Sequence, residues 1–168
     1  MIQTSTILWA LIITGLVSWI VSRMCLHKMC KALERMTNTD DAAIKVVERE
    51  CFFRHWGHVK RSSAFVVASF FLLFIYSVIG STEGYTIALN GVYAVDMTLA
   101  LLYAQSVQRV QEAINSAEEG GVYLDYLLHK IRCAEDFVCS AVLFNLGVAT
   151  AIGLSLVDWQ GLKDKLTE

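Results

Sequence analysis

The chain has 168 residues, 55% apolar and 18% charged, with no proline and a formal charge of −2 at pH 7. So apolar a composition excludes disorder, and 14 Lys+Arg against 16 Asp+Glu exclude a strongly basic nucleic-acid binder, so no nucleic acid is expected as a partner. A mean hydropathy of +0.50 points to lipid as the solvent for much of the chain.

The first predicted element is residues 1–22 (MIQTSTILWALIITGLVSWIVS), a run without charge. About 20 apolar residues in a helix match the roughly 30 Å hydrocarbon slab of a bilayer. The run reads as an uncleaved anchor. No basic residue precedes it, it exceeds the length of a signal-peptide core, and no A-x-A site follows. Ala10, Thr14, Ser18 and Ser22 form a line of small residues at four-residue spacing, where helices approach closely in lipid. Beyond it Leu26, Met29, Leu33 and Met36 continue at helical spacing to residues 37–41 (TNTDD), whose Asn and Asp favour a turn and a helix N-cap.

The chain then returns along a predicted stripe of Ile44, Val47, Cys51, His55 and His58 into a second uncharged run, 62–82. A third run, 84–108, carries one charge in its apolar stretch, Asp96, before Arg109. Val107, Val110, Ile114 and Ala117 lead out of it to a Gly120-Gly121 break. Leu124, Leu128, Ile131 and Val138 lead back into a fourth uncharged run, 137–157, where Gly147, Ala151 and Ser155 form a second small-residue line.

These elements predict an all-α, polytopic membrane protein of one domain, 1–168, with four transmembrane helices at about 2–22, 62–80, 85–106 and 137–157. Extensions 23–61 and 107–136 stand in the cytoplasm, so that two long hairpins of helices of about 35 residues, or about 50 Å each, build an antiparallel four-helix bundle. Twelve of the fourteen Lys and Arg lie in the two long connections. The positive-inside rule therefore places both connections in the cytoplasm and both termini outside, in the cell (inner) membrane. Arg54, Lys60 and Arg61 are expected to anchor to anionic headgroups of the membrane lipids. Trp19, Trp56 and Tyr103 are expected as an inner aromatic belt, with Tyr76, Tyr85 and Trp159 as the outer one.

Asp96 is the most informative residue. A carboxylate near the middle of a span costs about 2.5–3.5 kcal/mol on insertion scales, and no Lys, Arg or His lies in any predicted span to pair with it. Tyr93, Ala100 and Tyr103 share its helix face. Depth matching across the turns adds Thr14, Ser69 and Asn145 at its height. This polar layer either handles protons or ions, lining a water-filled path between protomers, or clamps the helices in register.

The five cysteines fall on or near the cytoplasmic side, which is reducing, so disulfides are not expected. Cys51, His55 and His58 share one predicted face, and Cys30 matches His55 in depth, which makes a metal or haem ligand set conceivable. The plainer reading is cysteine as a small hydrophobe and histidine at headgroup level. No phosphate loop, nucleophile elbow or H-E-x-x-H pair occurs, so no enzyme and no cofactor is expected. The leading reading is a self-associating pore or permeabilising protein with a cytoplasmic helical stalk. The alternatives are a non-conducting anchor that binds a cytoplasmic protein partner, and a metal- or haem-bearing redox subunit.

Overall fold

The computed structural model describes residues 2–80, 84–118 and 124–155, with side-chain detail for most of them. Four helices fill these segments: α1 (Ile2–Asn38), α2 (Ala42–Gly80), α3 (Gly84–Glu118) and α4 (Leu124–Ser155). No strand occurs among the described residues. Lengths of 37, 39, 35 and 32 residues agree with the long rods expected from the apolar runs and the absence of proline. The Gly120-Gly121 break, the 81–83 connection, Trp159 and the tail lie outside the described residues, as do the side chains of Tyr85, Ala151 and Ser155.

Local chemistry explains the one turn that is described. Asp41 caps α2: its carboxylate accepts the backbone N–H of Ala43 at 2.9 Å, and its carbonyl accepts that of Lys45 at 3.1 Å. The Asp41 N–H in turn donates to the Thr39 hydroxyl at 3.4 Å. Two of the first orphan positions of α2 are thereby engaged without lengthening the loop.

Each helix packs on its neighbours in sequence, and α1 packs on α4, which closes a four-helix bundle with α1 opposite α3. One core runs the length of the rods. In the half near the described turn it is mainly aliphatic, with Leu26, Met29, Leu33, Val110, Ile114 and Ile131 buried beside Phe52 and Trp56. In the other half it is aromatic. Trp19 stacks at 5.0 Å on Tyr103 across the diagonal and at 6.3 Å on Phe70. Gly15 admits the Phe70 ring, whose Cζ would lie 2.9 Å from any added Cβ.

Three predicted features are corrected. The inward stripe of α2 is Phe52, Trp56, Val59, Val66, Phe70 and Leu73 rather than the predicted set; Ile44, Val47 and His58 are exposed. The cause is that the stalk part of α2 carries apolar side chains on more than one face, Val46, Val47 and Phe53 besides Phe52 and Trp56, so periodicity alone does not select a face, and the bulky rings win the interior. Likewise Trp19, Trp56 and Tyr103 are core residues and form no belt; each is at most 4% exposed. At the start of α4, Leu124 is exposed and Leu127 is buried in its place.

By length and apolarity α1 and α2 are able to cross a membrane, over Thr6–Asn38 and Ala42–Ile79. Apolar side chains cover the outside of the bundle at the end away from the described turn on all four helices. Ile13 and Val17 on α1, Phe71 and Leu72 on α2, Leu101 and Leu102 on α3, and Leu143 and Leu146 on α4 are each 47–63% exposed. The opposite end carries the charge.

Candidate functional site

The candidate site grows from the buried polar groups at the apolar-coated end. Serine and threonine are tolerated there because each hydroxyl donates to a carbonyl one turn back. Ser18 bonds Thr14, Ser63 bonds Lys60, Ser77 bonds Phe74 and Ser106 bonds Tyr103, at 2.7–2.9 Å. Thr14 does the same to Ala10, but from the exposed outer face, so it does not join the polar layer expected around Asp96.

Asp96 is buried, 4% exposed, at the seam of α3 with α4. Asn145 is its polar neighbour, and the Asn145 amide also donates to the Ala141 carbonyl at 2.9 Å. Asp96 Oδ1 is buried with no hydrogen-bond partner among the described residues. Ser69 is buried on α2, and Tyr93 is half-buried one turn before Asp96 on α3. The structure therefore pairs Asp96 with Asn145 and excludes Thr14 from their company.

A second polar knot sits toward the middle of the rods, and the sequence reading missed it. The Ser22 and Ser62 hydroxyls meet at 2.6 Å in the interior, Ser62 also reaches the His58 carbonyl at 2.9 Å, and the Tyr103 hydroxyl lies beside Ser22 without closing a bond. A usable signal was present: Ser22 closes the first uncharged run and Ser62 opens the second.

The proposed N/S ligands do not assemble. Among the described residues no group of three His, Cys, Asp or Glu side chains is placed to hold a metal ion. Cys30 is buried against α4, and burial, followed by the charge of Glu135, pushes its thiol up to about 12, which disfavours the thiolate a metal needs. Cys51 is half-buried, and the His55 and His58 rings lie 6.4 Å apart with His58 exposed. Burial, then Lys28, His58 and Arg54, hold the His55 imidazole below its ordinary value.

Ion pairs join the charged ends of α1 and α4. His27 Nδ1 meets Glu135 Oε1 at 3.0 Å, and Arg132 pairs with Glu34. The hydrogen bond from Arg132 to Glu34 holds the guanidinium above its ordinary value. Arg35 bonds Glu48 at 3.1 Å across α1 and α2. Arg54, Lys60 and Arg61 are exposed at the border between the apolar coat and this charged half. Compared with family models, curated proteins and solved structures, the chain matches none.

Proposed function

We propose that the chain is a multi-pass membrane anchor that holds a rigid helical stalk in the cytoplasm for a protein partner. The observation that carries this reading is the apolar coat on all four helices around an interior that is already filled. On this reading the spans are about 2–22, 62–80, 85–106 and 137–157, both termini lie outside, and the positive-inside rule orients the hairpin tips to the cytoplasm.

Partner binding draws support from the stalk itself. Ile44, Val46 and Val47 at the start of α2 are 45–65% exposed, far along the rod from the apolar coat. Leu124 and Tyr126 at the start of α4 are exposed at the same end. Apolar groups in water at the tip of a charged stalk are the chemistry of a docking surface. The conducting alternative needs Asp96 on a path between copies, whereas it is buried within one bundle between α3 and α4.

The test has two arms. Alkaline extraction should leave the chain in the membrane pellet, and crosslinking through the stalk should yield a stoichiometric soluble partner that Val46→Asp abolishes. Purified protein in liposomes should pass no ions. Flux that disappears in Asp96→Ala would overturn the anchor and restore the pore.

A further inference from the structure

The seam between α3 and α4 stays open where the apolar coat gives way to the charged stalk. Two adjoining cavities of about 370 Å³ and 380 Å³ lie along it and share Arg109 and Lys130. The first is walled by Leu102 and Phe137 at its apolar end and by Ser106 and Cys133 nearer the cations. The second continues toward the stalk past Glu112 and Tyr126. Arg109 and Lys130 take part in no ion pair among the described residues; the Lys130 ammonium lies 5.0 Å from the centre of the Tyr126 ring.

We propose that this groove binds one anionic phospholipid of the cytoplasmic leaflet, its phosphate between Arg109 and Lys130 and its acyl chains along Leu102 and Phe137. The proposal rests on the membrane reading above. Charge decides the occupant: two cations against the single carboxylate of Glu112 leave the groove positive, and Glu112 lines only the cavity farther from the lipid. Position decides its form. Leu102, 47% exposed, belongs both to the groove wall and to the apolar coat, so an acyl chain passes from groove to bilayer without crossing water. Basic pockets between helices at the cytoplasmic boundary are the known chemistry of lipid headgroup capture. Neither cation is paired with a carboxylate among the described residues, which leaves both for a phosphate.

The test is native mass spectrometry of the full chain in neutral detergent, titrated with phosphatidylglycerol or phosphatidylcholine. Phosphatidylglycerol should remain bound at lower lipid concentration. Arg109→Gln and Lys130→Gln should each cut that preference about fivefold, while Arg109→Lys keeps it and Phe137→Ala weakens both lipids alike. Lys45→Gln, far along the stalk, should leave the preference unchanged, and Arg54→Gln with Lys60→Gln should lower it less than either groove variant. Equal binding of the two lipids, loss of preference only in the Arg54/Lys60 variant, or displacement by millimolar inorganic phosphate would each overturn the proposal. Recovery of the chain in the soluble fraction without detergent would remove the membrane reading and the groove together. A detergent-dependent chain without lipid preference would remove the groove alone.

Discussion

The two ends of the bundle both expose apolar side chains, yet what surrounds those side chains differs. Leu72 at the coated end is 51% exposed and stands among Phe71, Ile75 and Phe65, with no charge on its helix from Ser62 to Gly80. Val46 at the stalk end is 65% exposed and stands beside Lys45, Glu48 and Arg49. The interiors differ as well: Trp19, Phe70 and Tyr103 cluster toward the coated end, and aliphatic chains predominate in the stalk beside Phe52 and Trp56. Exposure alone therefore does not say what a side chain is exposed to; the company it keeps does.

The largest expected effect tests the aromatic interior. Trp19 is fully buried and touches rings on both α2 and α3, so Trp19→Ala removes the side chain that ties three helices together. It should cost about 3–5 kcal/mol, read as a lower unfolding midpoint in detergent. Trp19→Phe should cost far less. The indole Nε1 has no partner among the described residues, so losing it breaks no hydrogen bond. Equal losses in the two variants would show that the ring plane itself is not what fills the site.

The next effect breaks the comparison of the two surfaces directly. Leu72→Lys places a charge in the coat and should cost about 2.5–3.5 kcal/mol of insertion free energy at mid-span. Val46→Lys, at the more exposed of the two positions, should stay within about 0.5 kcal/mol of the parent, as surface substitutions do. Membrane-fraction yield and helical content measure both. Two equally benign substitutions would mean that the coated end also faces water.

How far the sequence disclosed this arrangement depends on how one-sided each helix is. The stalk part of α1 alternates apolar and charged residues, so Leu26, Met29 and Leu33 were identified as inward, and all three are buried. In α2 both the Phe52 face and the Cys51 face carry apolar side chains, and it is the bulkier Phe52 and Trp56 that are buried. Asp96 announced itself by its cost in lipid, and its burial beside Asn145 follows from that cost. Thr14 was misplaced because depth matching fixes height along a rod and leaves rotation about its axis undetermined. For the same reason Arg109 and Lys130 were counted as charges on one side of the membrane, when their shared rotation toward one groove is what gives them a joint role.

The smallest expected effect probes the stalk through His55, which lies seven residues before the uncharged run that opens at Ser62. Its ring is held below the ordinary value of 6.5 by burial and by Lys28 on α1, with His58 and Arg54 on its own helix. The Nδ1 atom is buried with no partner, so a protonated ring would add an unmatched donor to the interior. The sign follows from proton uptake. The unfolded chain binds a proton as pH falls through 6.5 while the folded chain still resists, so this contribution is complete above 6.5 and is lost as pH falls toward the folded value. Between pH 7.5 and 5.5 the unfolding midpoint should drop by at most about 2–4 °C. His55→Gln should remove that drop while leaving the midpoint at pH 7.5 nearly unchanged. A drop that survives in His55→Gln would show that the acid sensitivity does not come from His55. The packing around His55 would then have no part in the pH response of the stalk.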